Sequence, residues 1–167
     1  MAWLLSLLLR PFLPWATRWV QKQQARIFEH GRSLTQAEMD DARRAGVSSP
    51  EKIHVQVVPS IQPPPHLLIT FGSKFADLIG PHTAGLTLNY GIYIRQDCAD
   101  YRHHRELYVH EFCHVGQYER LGSIRAFLSV YLVECISPGY PLGILEQEAI
   151  QTAARIMCAD SEKKGNP

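Results

Sequence analysis

The chain has 167 residues, 46% of them hydrophobic, and 17 Lys and Arg against 16 Asp and Glu give a formal charge of +1. That length supports one domain with a real core, read as residues 31–167, preceded by an N-terminal segment over 1–30. The near balance of mixed signs argues against a dedicated nucleic-acid surface, and Arg43-Arg44 and Lys163-Lys164 read as short solvated pairs. Cys98, Cys113, Cys135 and Cys158 show neither C-x-x-C spacing nor a dense secreted framework. They read as small buried thiols in a reducing, cytoplasmic setting.

Met1 to Val20 is very apolar and has no acid, and it carries Arg10, Arg18, Trp3, Trp15 and Trp19. No positive charge precedes the apolar run, as a signal peptide would want, and Arg10, Pro11 and Pro14 interrupt it as a membrane span. Two readings remain: a segment lying on a membrane surface, on the inner face of the membrane, or one docked on the domain's own core. Gln21 to Phe28 is polar and helical in pattern. Thr35-Gln-Ala-Glu38 is a capping-box pattern opening a short helix that ends at Gly46. Ile53 to Val58 alternates like a half-buried strand, and Pro59 with Pro63-Pro64-Pro65 marks an extended connection. His66 to Phe71 is strand-like, and Phe75 to Ile79 reads as a helical turn. Leu86 to Arg95 is the clearest strand signal, with Leu86, Leu88, Tyr90, Ile92 and Ile94 on one parity. Gly91 within it suits a bulge or a close backbone approach.

Tyr101 to Gly122 reads as a helix with Asp97 or Asp100 at its start and Gly122 at its C-cap. Inside it lies His110-Glu111-Phe112-Cys113-His114, an H-E-x-x-H. Positions i and i+4 share one helix face, so both imidazoles can reach one ion, with Glu111 placed to act as general base beside it. The bland alternative is a helix with two partly buried histidines bonded to carbonyls. No histidine follows His114, and Gln117 and Arg120 stand where the long H-E-x-x-H-x-x-G-x-x-H signature has its glycine and last histidine. A third ligand from downstream must be a carboxylate or a cysteine, and Glu146 and Glu148 are the best candidates. Two apart on a helix, they point about 200° apart, so only one can face the metal. Ser123 caps a further helix through Ile136, with Phe127, Val130, Tyr131 and Cys135 as its core face. Ser137-Pro-Gly-Tyr-Pro141 then turns the chain back toward His114.

His110-Glu-Phe-Cys-His-Val-Gly-Gln-Tyr-Glu-Arg-Leu-Gly122, then a hydrophobic helix, a Pro/Gly-rich turn and P-L-x-x-L-E-x-E-A, resembles the small bacterial gluzincin-type zinc metallopeptidase domains. The resemblance spans about Gly85 to Ala154. It implies an α+β, zincin-like fold in which a small mixed or antiparallel sheet packs on the H-E-x-x-H helix, with two further helices after it. It also implies His110, His114 and Glu148 as Zn2+ ligands, Glu111 as general base and a strand edge that lines a peptide or protein substrate. Where many relatives carry an acid four positions after that glutamate, this chain has Thr152. Tyr140, on the connecting turn, is the first choice among possible oxyanion donors, ahead of Tyr131, Tyr118, Tyr93, Arg95 and His104. His103, seven residues before His110, either lines the cleft or is simply part of a polar helix start. The alternative function is a zincin-fold pseudoenzyme or protein-binding module, with peripheral membrane contact through residues 1–20, whose metal only staples helices.

Overall fold

The computed structural model describes residues 7, 9–62, 79–80 and 82–165. The Pro63-Pro64-Pro65 run, the His66–Phe71 strand and all of the Phe75–Ile79 turn except Ile79 lie outside the described residues, as do residues 1–6 and 8. Within them the chain is mixed α+β, with five helices and one four-stranded mixed sheet.

Helix α1 (Leu13–His30) begins with Pro14 in its first turn, where proline's missing N–H costs nothing. It buries Leu13, Ala16, Val20 and Ile27 on one stripe, so the described part of the N-terminal segment is docked on the protein's own core. Strand β1 (Arg32–Ser33) leads to helix α2 (Gln36–Arg44), whose Thr35–Glu38 capping box forms as the sequence suggests. Strand β2 (His54–Val58) pairs antiparallel with β1.

The run from Leu86 to Arg95 is not one strand. It folds into a hairpin of β3 (Gly85–Leu88) and β4 (Gly91–Arg95), joined by Asn89 and Tyr90. Asn89 takes φ 61°, a left-handed conformation that asparagine tolerates better than most residues. The turn inverts the parity read from the sequence. Thr87 pairs with Ile92 and Gly85 with Ile94, so these face one side, while Leu86, Leu88, Gly91 and Tyr93 face the other. At Gly91 an added Cβ would lie 2.8 Å from Ile27, so a side chain there would push α1 off the sheet.

The sheet order is β1-β2-β4-β3, with β2 and β4 parallel and β3 at one edge among the described residues. One face packs against helix α3 (Arg105–Leu121) through Val55, Ile92, Ile94, Tyr108, Val109 and Phe112. The other face meets α1 and helix α4 (Ile124–Glu134) through Leu88, Tyr93, Val20 and Leu128. Helix α3 starts at Arg105, later than the sequence suggests. Asp97 bonds Arg95 and Asp100 bonds His103 and the Arg102 amide, so neither caps it; Gly122, at φ 81°, does end it. Ser123 caps α4, accepting from the Ala126 amide at 3.1 Å, but Val130 faces out while Leu128 and Leu132 are buried. After a π-helical turn (Cys135–Gly139), helix α5 (Ile144–Gly165) runs back along α3.

Ion pairs fix α3 against α5. Arg105, at the start of α3, donates to Asp41 of α2 at 2.6 and 2.7 Å and to Asp160 of α5 at 2.6 Å. At the opposite end Arg120 bonds Glu148 at 2.7 Å, so the two helices are antiparallel. Cys98, Cys113 and Cys135 are buried free thiols and Cys158 is an exposed one. No single helix among the described residues is long and apolar enough to cross a membrane.

Candidate metal centre

His110 and His114 sit one turn apart on α3, and their Nε2 atoms lie 3.1 Å from each other. The carboxylate that meets them comes from the first turn of α5. It is Glu146, not Glu148. Its Oε2 is 3.4 Å from His110 Nε2 and its Oε1 is 3.3 Å from His114 Nε2. Glu148 instead accepts from Arg120 at 2.7 Å and from the Gln117 amide at 3.1 Å. Arg120 and Gln117 hold Glu148 toward the solvent side of the α3–α5 seam, on the other side of α5 from the imidazoles. Glu146, only 3% exposed, is left facing the imidazoles.

These three groups fit a metal ion. The two imidazole nitrogens are 3.1 Å apart and each meets a different oxygen of Glu146, so one ligand atom from each residue lies within 4.8 Å of the others. Glu146 Oε2 is buried without a hydrogen bond, even though it sits within ion-pair distance of His110. A buried carboxylate oxygen aimed at an imidazole nitrogen but not bonded to it is costly unless something else completes it. Two imidazole nitrogens and one carboxylate form a donor set that suits zinc and several of its first-row neighbours.

The surroundings hold these ligands in place. The Gln117 amide nitrogen donates to the Leu145 carbonyl at 2.8 Å and to Glu148, which turns its oxygen toward His114 Nδ1 at 2.8 Å. With a carbonyl oxygen there, Nδ1 carries the proton and Nε2 keeps its lone pair for the site. Gln117, one of the two residues that depart from the long zinc signature, therefore orients an imidazole of this group. Tyr131 of α4 donates to Glu146 Oε1. Burial pushes Glu146 up, but the His110 and His114 rings outweigh it and hold the carboxyl well below its usual range. For His114 burial pulls the pKa down, yet Glu146 and Glu111 raise it overall, as expected of a buried ring facing two carboxylates.

Glu111 is buried and stays out of this ligand group. Its Oε2 accepts from Thr87 Oγ1 at 2.6 Å, and the same hydroxyl lies 3.0 Å from the Glu111 carbonyl oxygen. Gly85, on the same face of β3, leaves the space for this carboxylate. A Cβ there would stand 2.4 Å from Glu111 Oε1 and 2.9 Å from its Cγ. Thr87 and Gly85 were not singled out from the sequence, because the single-strand reading put Thr87 on the wrong face.

His110, His114, Glu111, Glu146 and Tyr140 all line one cavity of about 680 Å3 beside β3. The Tyr140 phenol is pushed up to about 12 by burial and then by Glu146 and Glu111, so it stays protonated and able to donate at neutral pH. Of the other donors named from the sequence, Tyr131 is committed to Glu146 and Tyr93 to Gln23, while Arg95 bonds Asp97. His103 is exposed and pairs with Asp100, outside the cavity lining. Compared with family models, curated proteins and solved structures, the chain matches none.

Proposed function

We propose that the protein is a zinc-dependent hydrolase of peptide (amide) bonds with a zincin-like, gluzincin-type site. His110, His114 and Glu146 would hold the ion. The observation that supports this reading is that ligand atoms of two imidazoles and one carboxylate lie within 4.8 Å of one another in the wall of a cavity, with a second buried carboxylate beside them. When bound, the ion supplies Lewis acidity toward a carbonyl oxygen and lowers the pKa of a coordinated water to about 7.

The chain's own residues account for the rest. Glu111 takes the proton of the attacking water as the new C–O bond forms, and delivers it to the amine nitrogen as the C–N bond breaks. Thr87, bonded to Glu111 Oε2, leaves Oε1 as the proton acceptor. Tyr140 donates to the oxygen that gains negative charge. Gln117 and Tyr131 hold His114 and Glu146 in position throughout. Among the described residues β3 is an edge strand, the kind of edge an extended substrate segment would pair with.

The test combines metal content with turnover. Purified protein should carry close to one equivalent of zinc and cleave members of a fluorogenic peptide panel. Glu111→Gln should keep the metal and lose at least 100-fold in rate, in line with loss of general base catalysis. Zinc retained with no cleavage by either form would instead make the site a staple between α3 and α5, and unfolding on chelation would be its signature.

A further inference from the structure

Helix α1 presents two unlike faces. Leu13, Ala16, Val20 and Ile27 are buried in the core, so its apolar stripe is already covered by the protein itself. Arg18, Lys22 and Arg26 stand on roughly the opposite face. Spaced four residues apart, they turn about 40° from one to the next and run about 12 Å along the axis. All three are exposed, as is Arg10 just before the helix. Among the described residues none of these four makes an ion pair. Glu29, the only acid in the helix, lies 3.8 Å from His30 Nδ1. The whole chain balances 17 Lys and Arg against 16 Asp and Glu, yet the residues before Glu29 hold four of the cations and no acid, leaving 13 against 16 for the rest. One basic face thus sits on an otherwise slightly acidic body.

We propose that the outward face of α1 docks on a bilayer rich in anionic phospholipid. Arg10, Arg18, Lys22 and Arg26 meet the headgroup phosphates, and the helix lies along the surface with its buried stripe still on the core. Two observations favour this occupant. A single-sign stripe is drawn to an extended anionic surface while the acidic remainder is repelled by it, so the molecule approaches α1 first. Met1 to Leu9 contains no charged side chain, and Leu7 is 39% exposed, so an apolar signal adjoins the basic one. Attachment to a bilayer gains from both signals together. A nucleic acid would engage the cations and leave the apolar residues in water. Docking of this kind is independent of the hydrolase reading. Trp19 of the same helix lines the cavity, so contact through α1 brings the cavity close to the bilayer surface.

The test is sedimentation of the full-length chain with vesicles, which needs neither metal nor turnover. Vesicles of phosphatidylcholine alone are compared with vesicles holding about 30% phosphatidylglycerol, at about 0.1 M salt. The anionic vesicles should bind at least tenfold tighter, and about 1 M salt should abolish the difference. Arg18→Glu, Lys22→Glu and Arg26→Glu combined should lower affinity for the anionic vesicles at least tenfold. Arg102→Glu, Arg125→Glu and Arg155→Glu combined alter three exposed arginines elsewhere on the surface. They change the net charge equally and should lower affinity only a few-fold. Absence of binding to anionic vesicles overturns the proposal, and so does equal binding to neutral ones. An equal loss in the two triple variants overturns it as well, because overall charge would then account for the attraction. Tight binding of a duplex RNA without binding to vesicles assigns the face to nucleic acid and overturns it too. If the first triple variant fails to fold by circular dichroism, Lys22→Gln with Arg26→Gln takes its place, and unchanged affinity there overturns the proposal. Vesicle binding by a protein with no hydrolytic activity upholds the docking face while rejecting the hydrolase reading.

Discussion

Gly85→Ala isolates the role of Glu111 without touching Glu111 itself. The new Cβ would stand 2.4 Å from Oε1, 2.8 Å from Cδ and 2.9 Å from Cγ, whereas ordinary contact begins near 3.4 Å. The carboxylate must therefore retreat by about 1 Å, and no rotation of its last bond alone relieves the Cγ contact. That retreat also strains the 2.6 Å bond from Thr87. Misplacement of a reacting group by about 1 Å costs on the order of 100-fold in rate, so kcat should fall by that factor. Gly85 does not take a positive φ, so alanine suits the backbone, and stability should drop by only about 1–2 kcal/mol. Zinc content should be unchanged, because Glu111 stays out of the ligand group. The assay is turnover of the best fluorogenic peptide, with metal measured on the same sample. Full activity in Gly85→Ala would refute Glu111 as a base acting from this position, and loss of zinc would show that the carboxylate belongs to the ligand set.

The remaining predictions concern the ligands, their support and acid stability. Glu146→Gln should weaken zinc binding by 100-fold or more and Glu148→Gln by less than tenfold, read by competition with a chromogenic chelator; the reverse order would restore Glu148 as ligand. Gln117→Ala removes the group that orients His114 and should weaken zinc binding by about 10–100-fold while leaving the helices intact by circular dichroism. Burial pushes Glu38 and Asp41 up, but Arg32 and Thr35 outweigh it at the first, Arg105 and Tyr101 at the second, and both carboxyls end below their ordinary values of 4.5 and 3.8. Their contribution to stability is then complete above those values and is lost as pH falls through the lower folded-state ones. These two carboxyls should contribute no decline in the urea midpoint from pH 7 to 5 and a drop below about pH 4; a decline already under way between pH 7 and 5 would assign acid lability to other groups.

Much of the site was legible in the sequence because helical spacing is a local property. His110, Glu111 and His114 needed only the 3.6-residue period to be placed together, and the same period showed that Glu146 and Glu148 could not both reach them. The Thr35 cap, the Gly122 stop and the turn before α5 were likewise written in adjacent residues. The choice between the two glutamates was not local. It depended on Arg120, 28 residues before Glu148, being across the seam between antiparallel helices.

The hairpin shows the same limit on a smaller scale. Leu86 to Arg95 alternates well enough to pass for one strand, and nothing in composition alone forces a turn at Asn89. Once the chain reverses there, every side chain before the turn changes face relative to those after it, which is what brings Thr87 and Gly85 onto Glu111. The sequence by itself therefore determined the shared helix face of His110 and His114, the mixed α+β composition, and the caps at Thr35, Gly122 and Ser123, but not the start of α3. Only the tertiary structure decided that Glu146 completes the group, that Gln117 and Tyr131 hold it, and that α1 walls the cleft. Periodicity and capping act within a few residues, whereas ligand choice and cleft chemistry depend on which distant side chains compete for the same charge and the same space.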